Sequence, residues 1–130
     1  MADMSGQELF ELAMRHIYGD GVPEDNELAL QLLTQARDTG HVEATYNLGI
    51  CYHYGFGTGV DLAKAYELYL ESANGGYGKG MELVGRFYNQ GIYVKRDRVQ
   101  AEYWLRKAME SSDPDAVEEA EKELARVFPC

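Results

Sequence analysis

Two short glycine-rich stretches are the first candidates for chemistry, because backbone N–H groups in glycine loops can cradle phosphates. Residues 55–59 read GFGTG, follow no predicted strand and fall between two predicted helices. Residues 78–80 read GKG, but the lysine is not followed by the serine or threonine that a phosphate loop requires. We interpret both stretches as turns, and we expect no cofactor.

Histidine and cysteine are the next candidates, since they are the usual zinc ligands. The three histidines, His16, His41 and His53, show no metal-ligand spacing. Cys51 and His53 would lie about 200° apart around a helix, so they cannot reach one ion. We predict no metal site. Cys51 and Cys130 do not make a disulfide framework, and we interpret Cys51 as a small buried side chain.

Paired acids and nucleophiles would be needed for hydrolytic chemistry. The glutamates at 118, 119, 121 and 123 fall in one charged segment, which is typical of a solvated helix face. No serine or cysteine lies in a nucleophile motif. We therefore predict no catalytic residues and no enzyme, although a triad assembled only in space stays an alternative.

Charge and hydropathy narrow the classes of partner. The chain of 130 residues carries 12 basic and 22 acidic residues, a net charge of −10, and its longest basic run is Lys95-Arg96. Phosphate neutralisation needs a basic footprint, so we expect neither nucleic acid nor an anionic membrane as partner. The N-terminal sequence shows no secretory signal, and no stretch is apolar enough to span a bilayer. The expected location is cytoplasmic.

A repeat of 36 residues organises the chain. Three segments written under one another at this offset, without gaps, keep similar residues in the same columns, and we regard the repeat as established. The aligned sets are Leu12, Leu48 and Val84; Ala13, Gly49 and Gly85; His16, Tyr52 and Tyr88; Gly19, Gly55 and Gly91; Asp25, Asp61 and Asp97; Ala29, Ala65 and Ala101; Leu32, Leu68 and Trp104; Leu33, Tyr69 and Leu105; and Ala36, Ser72 and Ala108.

The sequence of each repeat predicts two helices, which we name helix A and helix B. Helix A ends at the repeated glycine, which adopts the left-handed conformation at little cost. The repeated aspartate then begins helix B as an N-cap. At the C-terminus, Ser112-Asp113-Pro114 predicts the start of a further helix, which places Val117, Ala120, Leu124 and Val127 on an apolar face.

The motif of the second unit, LGICYHYGFGTGVDLAKAYELYLESANGG, resembles the Sel-one-like repeat, a relative of the tetratricopeptide repeat. The third unit departs from the pattern at Tyr93, where the family has a second glycine. The resemblance covers about residues 8 to 112. It implies a right-handed α-solenoid with helices A on the concave face, and an adaptor role in protein complexes.

The predicted architecture is therefore all-α, a right-handed superhelix of three helix–turn–helix repeats with a C-terminal capping helix. We expect a single domain over residues 1–130. The repeats span about 8–43, 44–79 and 80–115, and the capping helix spans about 114–127.

Tyrosine is frequent, with ten residues, and its placement bears on function. Tyr52 and Tyr69, together with Tyr88, occupy columns that we predict to be core. Tyr46 and Tyr54 do not, and exposed tyrosines are typical of protein interfaces. Packing of these tyrosines against an adjoining repeat stays open as the alternative.

The resemblance implies that one stripe of helix A points into the concave groove and binds a protein or peptide. By periodicity and the offset of 36, the predicted partner-binding residues are Phe10, Met14, Ile17, Tyr46, Ile50, His53, Tyr54, Glu82, Arg86 and Asn89. This groove would run from an apolar end to a polar end with one arginine. The alternative is a self-associating module, because the first helix is more apolar than a polar cap.

Overall fold

The computed structural model describes residues 3–127, in which seven α-helices and no strands occur. The helices pair within each repeat as helix A and helix B, and the last follows the third pair. Their bounds are α1 Gly6–Tyr18, α2 Asn26–Asp38, α3 Val42–Tyr54, α4 Leu62–Asn74, α5 Gly78–Gln90, α6 Arg98–Met109 and α7 Pro114–Val127.

The repeated aspartates begin helices α2, α4 and α6, as predicted. The Oδ1 atom of Asp25 accepts a hydrogen bond from Leu28 N at 3.0 Å, and that of Asp61 accepts one from Lys64 N at 3.0 Å. Asp97 accepts in the same way from the second and third residues of α6. Each carboxylate thus satisfies N–H groups that have no partner inside the helix.

The repeated glycines end α1, α3 and α5 in the left-handed conformation, with φ of 65° at Gly19, 79° at Gly55 and 68° at Gly91. Two residues later the chain turns left-handed again. That position is glycine in the first two repeats but Tyr93, at φ 61°, in the third. The third turn therefore keeps the conformation of the first two turns with a side chain that rarely adopts it.

The helices form two compact units, the first ending at Leu68 and the second beginning at Tyr69. The core of the first unit is a cluster of apolar side chains from α1 to α4. Its buried members are Leu9, Ala13, Ala29, Leu32, Leu33, Ala36, Ala44, Leu48, Cys51 and Leu68.

The core of the second unit is built around Tyr69 and Phe87, which are fully buried and meet edge to face with centroids 5.6 Å apart. Beside them α5 approaches α6 closely at Gly85, where an added Cβ would lie 2.7 Å from Leu105 Cγ. The repeated small residue of helix A is thus required by helix packing in this unit.

The predicted core column His16, Tyr52 and Tyr88 is only half-buried, although Tyr52 packs against the core cluster of the first unit. The physical reason is its position in the last turn of helix A, where the chain leaves the core. His16 shows the consequence, because its Nδ1 lies 2.9 Å from the carbonyl oxygen of Pro23 in the following turn. Tyr69, which belongs to the column of Leu33 and Leu105, is buried as predicted.

Helix α7 is present as predicted, but its rotation differs from the prediction. Its buried residues are Ala116, Ala120 and Glu123, whereas Val117 and Leu124 are half-buried. It packs on α5 and α6, and the buried glutamate sets its rotation through hydrogen bonds to α5. The side chain of Val127 and the whole of Cys130 lie outside the described residues.

Candidate functional site

The predicted binding residues of α1 are half-buried. Phe10 and Ile17 pack against the core cluster of the first unit, and Met14 lies on the same side of the helix. Part of this stripe therefore stabilises the fold, while a partly exposed apolar strip remains along α1.

Phe10 stacks on His41, the N-cap residue of α3, with ring centroids 4.9 Å apart. The Nδ1 atom of His41 accepts from Ala44 N at 3.1 Å, so the ring carries its proton on Nε2. That Nε2 donates to Gln7 Oε1 at 2.8 Å. These contacts connect the first turn of α3 to α1 and fix the position of Phe10.

An exposed aromatic cluster lies at the C-terminal end of α3. The rings of His53 and Tyr54 stack with centroids 4.3 Å apart, and Phe56 follows at 6.1 Å from Tyr54. Tyr54 is 56% exposed and Phe56 is 47% exposed. We name His53, Tyr54 and Phe56 the aromatic cluster. The predicted residues Tyr46 and Ile50, on the same helix, are half-buried.

Phe56 was missed by sequence reasoning, which treated it only as part of a glycine turn. The aligned positions in the other repeats hold Asp20 and Ile92, so the turn itself does not require an aromatic residue there. That difference between repeats is the signal by which Phe56 could have been found.

Of the three predicted residues of α5, the first and the last are buried and Arg86 is half-buried. Glu82 and Asn89 are buried, at 2% and 5% exposure. Arg86 pairs with Glu82 at 2.6 Å and lies 3.5 Å from Glu119 and 3.8 Å from Glu123. Arg86 is therefore engaged by acidic residues of its own chain.

Glu123 of α7 lies at the centre of this ionic cluster. Asn89 Nδ2 donates to its Oε2 at 2.8 Å, and Gln90 Nε2 donates to its Oε1 at 3.1 Å. Arg126 donates to the same Oε1 at 2.6 Å. Burial raises the pKa of the Glu82 carboxyl, and Arg86 partly opposes this shift. The arrangement stabilises the contact between α5 and α7.

Other chemistry considered from the sequence receives no support from geometry. In the described part of the chain, no three His, Cys, Asp or Glu side chains are placed to hold a metal ion. Burial raises the pKa of the Cys51 thiol to about 11, so the thiolate is scarce at neutral pH. Its burial at 3% exposure agrees with the interpretation as a small core side chain.

The glycine stretch 78–80 forms the first three residues of α5, which corrects its interpretation as a turn between helices. Its glycines serve helix packing, since a Cβ at Gly80 would lie 2.9 Å from the backbone N of Ala73. The stretch 55–59 is a turn, as predicted.

None of the helices within residues 3–127 combines the length and apolar character that crossing a bilayer demands. The cytoplasmic location stays a prediction.

A model of the Sel1 repeat matches the chain three times, at residues 9–41, 42–77 and 78–113. Among curated proteins, chitin synthase regulatory factor 2 of Schizosaccharomyces pombe is 36% identical over 92 residues, which are 68% of this chain and 18% of that protein. Eukaryotic elongation factor 2 kinase of Rattus norvegicus is 30% identical over 70% of this chain and 14% of its own length. The chain thus spans less than a fifth of each.

Two solved structures are similar over most of the chain. A Sel1 repeat protein from Oxalobacter formigenes has a TM-score of 0.79 at 30% identity, covering 90% of this chain and 88% of that one. A protective antigen of uropathogenic Escherichia coli strains, which displays an SLR fold, has a TM-score of 0.83 at 30% identity. Its match covers 93% of this chain and 26% of the antigen.

Proposed function

Because this chain belongs to the Sel1 repeat family, we propose that it is an adaptor that binds a protein segment through helices A of its first unit. Sel1 repeat proteins generally mediate protein–protein interactions and are typically non-catalytic scaffolds. We name the proposed surface the A-face. It comprises Phe10, Met14 and Ile17 of α1 together with Tyr46, Ile50, His53 and Tyr54 of α3.

The aromatic cluster is the observation that carries this proposal. Large aromatic side chains that remain about half exposed are typical of interface hot spots, because they bury much area for little loss of conformational freedom. Tyr54 and Phe56 hold each other in place through ring contact, so a partner would meet a preorganised surface. The half-buried residues of α1 and α3 extend this surface with apolar area.

The chemistry of the A-face suits a segment with bulky apolar anchors, in extended or helical form. Glu82 is buried, and Arg86 and Asn89 contact residues of α7, so these three residues are left out of the A-face.

The proposal predicts site-specific crosslinking. A photoreactive phenylalanine analogue at position 54 should form a covalent adduct with a partner in the source cell, because this side chain is the most exposed of the A-face. The same analogue at Gln35, which is exposed on α2 of the same unit, is the matched control. Mass spectrometry then identifies the adducts.

Adducts that are specific to position 54 and lost with Phe56→Ala would support the A-face. The same set of adducts from positions 54 and 35 would contradict it, because the contact would then be independent of the aromatic cluster. Circular dichroism on Phe56→Ala separates loss of binding from loss of fold.

A further inference from the structure

The outer surface of α6, in the second unit, carries an apolar and basic stripe. Val99 is 77% exposed and Tyr103 is 54% exposed, and these residues lie one helical turn apart. Arg106 and Lys107 lie on the same side of α6, one turn further along the helix. We name these four residues the α6 stripe.

The repeat itself shows that packing does not require these residues. Subtracting 72 from each position gives Glu27, Gln31, Thr34 and Gln35, which occupy the same columns of α2. These positions are exposed in α2 as well, and polar side chains suffice there for an equivalent helix B. The exposed valine and tyrosine of α6 therefore need an explanation other than folding.

The stripe lies in a locally basic part of an acidic chain. Residues 95–107 hold five of the 12 basic residues and two acidic ones, a local charge of 5 − 2 = +3. The rest of the chain then carries −10 − 3 = −13. Of the two acidic residues, Asp97 caps α6 and Glu102 pairs with Arg106 at 2.8 Å. Within residues 3–127, no carboxylate pairs with Lys95, Arg96 or Lys107.

An open cavity of about 330 Å³ adjoins the stripe, lined by Tyr103, Arg106, Lys107 and Glu110. The Lys107 ammonium lies over two rings, 5.6 Å from the centroid of Tyr103 and 5.4 Å from that of Trp104. Ring contact holds the charge in place and leaves its N–H donors for a carboxylate.

We propose that the α6 stripe is a second docking surface, which binds an acidic peptide segment with an apolar anchor. The anchor packs on Val99 and Tyr103, beside the cavity, and flanking carboxylates pair with Lys107, Lys95 and Arg96. The negative charge of the rest of the chain does not prevent this contact, because salt screens charges beyond about 8 Å at physiological ionic strength. The surface lies in the second unit and shares no residue with the A-face.

Three labelled synthetic peptides test the proposal by fluorescence anisotropy on the whole chain. The first has glutamates around a central Leu-Phe pair, the second replaces the glutamates with lysine, and the third replaces Leu-Phe with alanine. The first should bind at least about tenfold more tightly than either of the others. Its affinity should fall as salt rises from about 0.05 M to about 0.5 M, because the ion pairs are exposed.

A variant of the protein tests the stripe itself, with each stripe residue replaced by the residue at the aligned position of α2. Val99→Glu, Tyr103→Gln, Arg106→Thr and Lys107→Gln together give α6 the residues that α2 already carries, so the helix is expected to fold. This variant should bind the acidic peptide at least about tenfold more weakly than the wild type does. The single variant Tyr103→Gln is the fallback if circular dichroism shows that the fourfold variant is unfolded. Gln31→Ala on α2 is the control that should leave affinity unchanged.

Equal binding of the three peptides would overturn the proposal, as would unchanged affinity in a folded stripe variant. A third outcome also overturns it. If sedimentation shows a dimer that the stripe variant abolishes, while no peptide binds, the stripe is an interface between copies of this chain. None of these results depends on the A-face, so the adaptor proposal is judged separately.

Discussion

At the residue scale, Glu82 shows how a buried carboxyl depends on its neighbours. It lies in the middle of α5 with its side chain 3% exposed, and it faces Arg86 of its own helix and Glu119 and Glu123 of α7. Burial disfavours the charged form, and the two acids of α7 act in the same direction. The arginine opposes both effects without cancelling them.

This environment predicts a pH dependence of stability. With its pKa raised in the folded state, Glu82 binds a proton more tightly when folded than when unfolded, in a window that begins at the ordinary glutamate pKa of about 4.3 and extends upward. Its contribution to stability is therefore present below that window and is lost as pH rises through the folded pKa. The stability of the wild type relative to Glu82→Gln should increase as pH falls from 7 toward 4.5.

Urea unfolding at constant ionic strength measures this difference at each pH. Glu121→Gln, an exposed change on α7, is the control and should show a flat difference. A flat difference for Glu82→Gln as well would contradict the assignment.

The roles of residues in repeated columns could be predicted from the sequence, since the same helix start and the same helix end recur in each repeat. Asp25, Asp61 and Asp97 cap helices as expected, and the repeated glycines end helices as expected. His41 could not be predicted as an N-cap, because histidine is an unusual choice and its ring is oriented by Gln7 from another helix. Long-range contacts of this kind leave no periodic signal.

At the element scale, the repeated aspartate predicts a measurable contribution to each helix B. Asp61→Ala should lower the free energy of unfolding by on the order of 1 kcal/mol, because the N–H group of Lys64 loses its acceptor. Asp97→Ala should behave similarly. Asp20→Ala, which removes an exposed carboxylate in a turn, is the control and should have little effect.

Thermal or urea unfolding provides the values. If Asp61→Ala and Asp97→Ala both match the Asp20→Ala control, the hydrogen bonds to the helix N-termini contribute nothing net to stability. The prediction that the N-cap aspartates stabilise the protein would then be wrong.

The existence of α7 was predictable, but its rotation was not. The periodicity of Val117 and Leu124 favoured an apolar face, whereas the buried face includes Glu123. A buried glutamate needs hydrogen-bond donors that satisfy its carboxylate oxygens. For Glu123 these donors include Asn89 and Gln90 of α5, which lie 34 and 33 residues earlier in the chain. Sequence pattern within one helix cannot reveal partners on another.

At the scale of the whole molecule, the family and the all-α solenoid class predicted from the sequence are confirmed. The 36-residue offset made this possible, since each repeat supplies the same helices and the same turns. The binding surface was harder to predict. The groove residues of the third repeat were inferred by analogy with the second, and their contacts with α7, more than 30 residues later in the chain, were not visible in that analogy.

Removal of α7 is predicted to damage the second unit. A chain ending at Ser112 would uncover Glu82 and Asn89, and Gly78 would lose Ala116 as its close neighbour. We expect a lower unfolding temperature and concentration-dependent aggregation, because α5 and α6 lose a packed neighbour. Sedimentation and thermal melts measure both. A shortened chain that stays monomeric and equally stable would make α7 an appendage rather than a cap.

The position of α7 has a consequence for how such chains change in length. Its first residue, Pro114, stands 36 positions after Gly78, the first residue of α5, so the last helix keeps the phase of the repeat. Duplication of residues 78–113 would therefore place α7 after a copy of the same helix pair, α5 and α6, that it contacts now. Because this contact is kept, the number of repeats before α7 can grow by gene duplication without any change in α7.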